Sequence, residues 1–424
     1  MRRRKPRSDG PRVVIIGGGF AGLSALQALA KSRANLTLVD RNVYSTFQPL
    51  LYQVATAGLT SSDVAYPLWA AAGKNGAIYR KDELAGLDLV HRVATLASGE
   101  QLGYDWLIIA TGVTAAFFGV AGAAEHSMSL YTRRDAVALR NQLLDALETR
   151  NEGQGDPELD VTVVGGGATG VELAGTLAEL RNIAVPAAFP MVDTSRFRVR
   201  LIEQGPVLLA PYRGSLRDYT RDQLVKRGVD VLLGTGIKEV RPDSVLLTDG
   251  TTHRSDITVW AAGISGPATP WTAGLPRGRG GRLEVGPDLR VTGQDRIFVV
   301  GDISVNNDDP VAQLAQPAIQ EGRHAGRQVV RLMAGQETLP FKYHDKGTMA
   351  TIGRHAAVVE LPAGIRLRGT IAWLAWLALH LITLLGNRNR IVALVNMTWR
   401  YLTWSRGGGV IVGDDVVNPP AQTR

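Results

Sequence analysis

An α/β chain built from two copies of one strand–turn–helix module, with an apolar helical segment near its C-terminus, is what this sequence predicts. Three observations carry the prediction. The segments RVVIIGGGFAGLSALQALA and DVTVVGGGATGVELAGTLA repeat one pattern, with Gly17, Gly19 and Gly22 aligning with Gly165, Gly167 and Gly170. Each copy is followed later by an apolar strand ending in small residues, YDWLIIATG at 104–112 and ITVWAAG at 257–263. The stretch TIAWLAWLALHLITLLG at 370–386 is apolar almost throughout.

The repeated G-x-G-x-x-G turn has a physical reason. The first glycine allows a tight turn, the second lets backbone approach a pyrophosphate, and the third lets the helix pack on the strand. The helix N-terminus then offers free N–H groups and a positive dipole end to the diphosphate. Two such turns predict two Rossmann-like dinucleotide-binding domains. An acid closing the next strand tests each one, because a carboxylate there binds a ribose hydroxyl pair. LTLVD supplies Asp40, and VRLIE supplies Glu203 at a longer spacing, because IAVPAAFPMVDTSRF intrudes between helix and strand. A carboxylate at Glu203 accepts from the 2′-OH of NADH and repels the 2′-phosphate of NADPH. NADH preference is therefore expected, and equal kcat/KM with both nucleotides would refute it.

At 424 residues the chain is long enough for two or three domains with real cores. It has no cysteine, which excludes disulfides, Cys-ligated zinc, iron–sulfur clusters and any dithiol centre. Redox chemistry would then sit on a bound organic cofactor. The seven histidines show no metal-ligand spacing, so no metal site is expected. The formal charge is +8. Five positives (Arg2, Arg3, Arg4, Lys5, Arg7) crowd residues 1–10, which read as a basic disordered tail. No apolar h-region follows, so no secretory signal is expected. A second basic zone, 364–406, has six arginines and no acid. Its arginines are mixed with tryptophan and leucine, which points to lipid, and no nucleic-acid partner is expected.

Two modules in one chain resemble the two-dinucleotide-binding-domain flavoproteins. DRIFVVGDIS at 295–304 looks like that group's second flavin motif, whose Asp302 would bond the ribityl chain. The resemblance implies a discontinuous FAD-binding domain, 11–119 and 281–333, with an NADH-binding domain, 120–280, inserted, and a C-terminal region, 340–424. FQPLLYQVATAGL at 47–59 and LAQPAIQEG at 314–322, with KGTMATIGRHAAV at 346–358 and the tail HLITLLGNRNRIVALVNMTWRYLTWSRG, resemble the type II NADH dehydrogenases. These are single-subunit NADH:quinone oxidoreductases that do not pump protons. By that resemblance FAD is held by Gly17, Gly19, Phe20, Ala21, Gly22, Asp40, Arg41, Gln48, Thr111, Gly112, Asp302, Ala315 and Gln316. NADH is held by Gly165, Gly167, Thr169, Gly170, Glu172, Glu203 and Gly263.

The family's A-Q-x-A-x-Q element, matched by Ala315, Gln316, Ala318 and Gln320, would line the quinone site. Pro317 suits the first position of a helix running to about Met333, whose positive end would favour a reduced, anionic flavin. Gln316 and Gln320, four apart, fall on one side of its first turn and are expected to donate to a quinone carbonyl. Glu172, just after Gly170, is either a dipole-stabilising acid of the first turn or, by resemblance, a contact to nicotinamide or a proton relay to quinone. The latter is the expectation. Lys346 receives no role.

Residues 371–385 are too few to span a hydrocarbon core about 30 Å thick, which needs about 20. Arg366, Arg368, Arg388 and Arg390 bracket them. In the next segment Ile391, Leu394, Val395, Trp399 and Leu402 share one helical side, opposite Asn396, Arg400 and Thr403. Trp373, Trp376, Trp399 and Trp404 suit the headgroup level, and arginine attracts anionic lipid. Three readings compete: a buried or dimer helix, a transmembrane span, and helices lying in the membrane interface. The third is expected. A chain ending before Arg366 would then stay soluble, keep FAD, reduce a water-soluble acceptor and fail with membrane quinone. The expected protein is a peripheral enzyme of the cytoplasmic face of the cell membrane. It takes hydride from NADH and reduces ubiquinone or menaquinone, and it forms, as one option, a homodimer. A reductase with another acceptor, or a non-enzymatic redox sensor, is the alternative.

Overall fold

The computed structural model describes residues 9–403. The basic residues Arg2, Arg3, Arg4, Lys5 and Arg7, with Trp404 and Arg406, lie outside them. So do the side chains of Trp399, Arg400, Leu402 and Thr403.

Strand β1 (Arg12–Ile16) runs into helix α1 (Phe20–Leu29) through the first glycine turn, and β2 (Asn35–Asp40), β3 (Ala77–Lys81) and β4 (Trp106–Ile109) pair parallel beside it. β1 and β4 are short runs rich in β-branched and aliphatic residues and are almost wholly buried, as strands covered on both faces must be. A short strand β5 (Thr114–Ala115) carries the chain out of this module.

The second module follows: β6 (Met128–Ser129), α2 (Arg133–Asn151), β7 (Leu159–Val164), α3 (Ala168–Glu179), β8 (Phe197–Glu203), β9 (Val229–Leu233) and β10 (Ile257–Trp260). Its five strands are parallel in the order β6-β10-β7-β8-β9. Thr132 caps α2, its hydroxyl accepting from the Asp135 N–H while Asp135 reaches back, a reciprocal capping box. Of the intruding residues 183–197, the first six continue α3, through a π-turn into a four-residue helix, Val185–Ala188, and the rest form turns leading into β8.

Strand β11 (Ile264–Ser265) returns antiparallel to β5, so the two crossings form one two-stranded link. β12 (Ile297–Val299) then adds beside β4, completing the first sheet as β12-β4-β1-β2-β3. Helix α4 (Ala315–Met333) lies across α1. A Cβ on Gly322 would come within 2.0 Å of the Ala21 carbonyl oxygen, and one on Gly326 within 2.8 Å of that of Ala25. Glycine is required at both because the backbones nearly touch.

The C-terminal region is an antiparallel sheet, β13 (Thr348–Gly353), β14 (Ala356–Glu360) and β15 (Arg366–Arg368), followed by α5 (Gly369–Thr383) and α6 (Asn387–Thr403). These helices are part of the body. Trp376, Leu384, Ala393 and Met397 join the main core with Phe47, Tyr52, Val171 and Leu208, and Trp373 packs on Ala357 and Val359. Two amides pin α6: Asn389 Nδ2 donates to the Ala65 carbonyl at 2.7 Å, and Asn396 Nδ2 to Asp63 Oδ2 at 3.0 Å. Each buried tryptophan contributes about 2–3 kcal/mol by removing apolar area from water.

The outer side is apolar. Ile371 is 69 % exposed and Ile382 67 %, and Leu374, Leu379, Ile391, Leu394 and Val395 are also exposed. Among the described residues no helix is long and apolar enough to cross a membrane. Two sequence expectations change. Trp373 and Trp376 face the protein, not a headgroup layer. A chain ending before Arg366 would strip four core side chains and is not expected to stay folded and soluble.

Candidate functional site

Both glycine turns are set by contact. Gly17 has φ +104°, and a Cβ there would meet the Ala110 carbonyl oxygen at 2.2 Å, while one on Gly22 would lie 1.8 Å from the Gly17 oxygen. Over Gly19 there is open space. Asp40 closes β2, its Oδ2 accepting from the Gly18 N–H at 2.6 Å and its Oδ1 from Asn42 at 2.7 Å. Burial raises its pKa, and these backbone donors oppose the rise. Ala21 is buried, Arg41 exposed, and the half-buried Phe20 meets Phe47 edge-on at 5.7 Å.

Around the far end of this turn, polar groups converge. The Thr111 hydroxyl is buried without a hydrogen-bond partner, beside the positive-φ Gly112. Asp302 is held by its carbonyl, which accepts from Arg282 Nε and Gln313 Nε2, each at 3.1 Å. Among the described residues its carboxylate receives one long bond, 3.4 Å, from the Tyr131 hydroxyl. Burial raises the Asp302 pKa against the pull of Arg282. Gln48 hydrogen-bonds Tyr131, whose pKa is pushed up to about 12 by burial and by Asp302. The Gln316 side-chain oxygen is likewise buried without a partner. A glycine cradle, an acid closing β2, two orphaned buried polar atoms and a desolvated aspartate fit a dinucleotide with a polar tail, as FAD is. Tyr131 was missed from the sequence, because it belongs to no motif and reaches Asp302 only through the fold.

The second module repeats the first. A Cβ on Gly170 would lie 1.8 Å from the Gly165 oxygen, and Gly165 has φ +112°. Glu203 accepts from the N–H groups of Gly166 and Gly205, each at 2.6 Å. Residues 167–169, which include Thr169, are exposed, and Gly263 lies beside this turn, two residues past Ala261, whose N–H donates to Val164.

Glu172 is not a first-turn acid. Helix α3 begins at Ala168, so Glu172 is its fifth residue, and the first turn carries no acid. It is buried against the C-terminal region: the Thr351 N–H donates to Oε1 at 3.3 Å, and the Trp376 indole faces the carboxyl. Burial raises its pKa to about 8, opposed by those two donors. Trp376 stacks on His380 (ring centroids 4.1 Å apart), His380 meets Phe47 edge-on, and Tyr52 tilts against Trp376. Burial lowers the His380 pKa to about 4, opposed by its bond to the Trp376 carbonyl, so it is neutral at pH 7. The tail thus roofs a path from Glu172 to Phe20.

Helix α4 begins two residues before Pro317, with Leu314 as its cap. The two glutamines differ. Gln320 is bound on both sides by His344, donating to its carbonyl at 2.9 Å and accepting its N–H at 3.0 Å. Gln316, beside the half-buried Ala315, keeps the unpaired oxygen. Glu321 is buried, accepting from the Gly301 N–H at 2.6 Å and the Ser304 hydroxyl at 2.9 Å, with a pKa raised by burial to about 7. It ties α4 to the Asp302 loop, a role its place after Gln320 does not announce.

Two dinucleotide modules, the second inserted in the first and bridged by paired crossings, define a pyridine-nucleotide flavoprotein. The pyridine nucleotide-disulphide oxidoreductase family matches residues 11–322, and the NDH2 C-terminal domain family matches 345–405. A type II NADH:quinone oxidoreductase of Mycobacterium tuberculosis is 36 % identical, over 96 % of this chain and 92 % of its own length. An internal alternative NAD(P)H-ubiquinone oxidoreductase of Arabidopsis thaliana mitochondria is 30 % identical, over 92 % and 84 %. The solved structure of NDH2 from Plasmodium falciparum in complex with NADH shares the fold, with TM-score 0.88 at 20 % identity, covering 94 % of this chain and 100 % of that one. This chain belongs to the type II NADH:quinone oxidoreductases.

Proposed function

We propose that the two modules divide the reaction, the first holding FAD and the second receiving NADH, while a quinone enters beneath the tail. The enzyme is an NADH:quinone oxidoreductase and a peripheral membrane protein. FAD, when bound, supplies the ring that accepts hydride from NADH and returns two electrons to the quinone. Gly17, Gly19 and Gly22 would admit its pyrophosphate, Asp40 its adenosine ribose, and Asp302, Thr111 and Gln316 its polar chain and ring edge. On this reading the FAD domain is 11–119 with 281–333, the NADH domain 120–280, and the membrane-directed region lies within 340–424.

NADH would lie with its pyrophosphate on the exposed turn 167–169 and its adenosine ribose on Glu203. Reducing a quinone takes two protons, of which hydride transfer frees one at most. Glu172, protonated at pH 7 because burial holds its pKa near 8, is suited to store and pass one of them. Gln316 is preferred over Gln320 as the quinone contact, because Gln320 would first have to release His344.

The observation that carries this reading is the two-sidedness of α5 and α6. Their inner side roofs Phe47, Tyr52 and Glu172, and their outer side is a bare aliphatic face next to the exposed Arg366, Arg388 and Arg390. Such a face suits an anionic leaflet, and the cytoplasmic one is inferred. The test is Ile371→Asp with Ile382→Asp. FAD content and reduction of a water-soluble acceptor should persist, while binding to anionic liposomes and activity with long-chain quinone fall. Unchanged liposome binding would sink the membrane reading. Conversion of a dimer to a monomer would assign the face to a second copy instead.

A further inference from the structure

The link between the modules holds one residue that the reaction so far leaves unused. Residues 116–120 are anchored on both sides of Phe118. The Ala116 N–H donates to the Gly263 carbonyl at 3.0 Å, and its own carbonyl accepts from Trp260 Nε1 at 2.7 Å. Phe117 packs on Trp260 with ring centroids 5.8 Å apart, and the Val120 N–H donates back to Phe117. Between these anchors Phe118 takes φ +51°, a left-handed conformation that bulky residues avoid, and its side chain is left 70 % exposed. A strained backbone that presents a large apolar ring to water marks a place where something else is meant to cover it.

Where the ring sits identifies the cover. It lies over the backbone of Gly263, so closely that a Cβ there would fall 2.5 Å from the Phe118 ring. Gly263 follows β10, at the carboxyl edge of the second sheet, and its neighbour Ala262 borders Gly165 of the glycine turn, where a Cβ would come within 2.7 Å of Ala262. Ligands of open parallel sheets bind at this edge. We infer that Phe118 is a positioning residue for NADH, a fixed aromatic wall on which the nicotinamide half of the dinucleotide packs as it crosses from the second module toward the first. The φ +51° backbone is what turns the ring out of the link and onto that edge. This inference rests on the second glycine turn being the NADH site.

The test compares Phe118→Ala, Phe118→Tyr and Glu203→Ala in the FAD-loaded enzyme. Phe118→Ala should raise KM for NADH, and weaken NAD⁺ binding in calorimetry, by about ten-fold, with kcat at saturating NADH, KM for quinone and FAD content unchanged. Phe118→Tyr, which keeps the ring, should behave as the parent. Removing an exposed ring should also leave Tm unchanged. A fall in Tm with unchanged NADH KM would make Phe118 a structural staple and overturn the inference. If Glu203→Ala weakens NADH binding but Phe118→Ala does not, only the Phe118 wall fails. If neither does, the assignment of the site itself fails.

Discussion

The two glycine turns are nearly superposable in their local chemistry, yet they are covered differently, in keeping with the different uses proposed for them. In each, the sixth residue of the motif would clash with the carbonyl of the first at 1.8 Å, and in each a carboxylate takes the N–H of the second residue at 2.6 Å. What differs is the cover. Over the first turn lie α4 and the Asp302 loop, with orphaned polar atoms facing inward. At the second, residues 167–169 stand exposed among the described residues. The same phosphate cradle can therefore serve a cofactor that stays or a substrate that leaves, depending on what the rest of the chain lays over it.

The sharpest way to break this comparison is to destroy each cradle in turn. Gly22→Ala, forced against the Gly17 carbonyl, should yield protein without FAD and with Tm lowered by several degrees, about 2–4 kcal/mol of stability lost, read by flavin absorbance and thermal unfolding. Gly170→Ala, forced against the Gly165 carbonyl, should keep flavin binding while abolishing NADH binding, read by flavin absorbance and NAD⁺ calorimetry. Next in size is Glu172→Gln, for which turnover with quinone should drop on the order of 10²-fold with FAD retained, and parental turnover would exclude the proton role.

That substitution has a pH signature. The Glu172 pKa rises from 4.5 unfolded to about 8 folded, so the folded state binds the extra proton between those values. Stability from this group is present below pH 4.5 and is lost as pH rises toward 8. Glu172→Gln should flatten that decline in Tm. His380 works oppositely: with its pKa lowered from 6.5 to about 4, its share of stability is present above pH 6.5 and falls as pH drops toward 4. The smallest effect is expected for the glutamines. Gln316→Ala should raise KM for quinone several-fold more than Gln320→Ala, whose loss removes two hydrogen bonds to His344 worth about 1 kcal/mol each.

Both modules and their closing acids were legible because glycine turns are steric necessities that leave a spaced signature, and the family was legible from separate stretches such as FQPLLYQVATAGL and LAQPAIQEG. Less was legible where depth, not spacing, decides. Counting from Gly170 put Glu172 on a first turn, but the helix starts at Ala168, and one further residue of rotation carries the carboxyl under the tail. The helical side holding Ile391, Leu394 and Val395 was visible, but not that Ala393 and Met397, on the other side, would take the inward place. Which side of the helix turns inward is decided by packing and by the Asn389 and Asn396 amide bonds, which no periodicity records. Pairing of Gln320 with His344, and of Tyr131 with Asp302, joins residues far apart in sequence, which no local pattern records.

The amide pins on α6 have a consequence of their own. Because Asn389 and Asn396 fasten the tail to Ala65 and Asp63, and Trp376 is part of the central core, the tail proposed to meet the membrane cannot be lifted like a tether on a flexible leash. On the proposed membrane reading, leaving the bilayer is a departure of the whole folded body, aliphatic face included. A cell that released the enzyme into the aqueous phase would release something sticky, prone to self-association or to prompt recapture by the nearest leaflet.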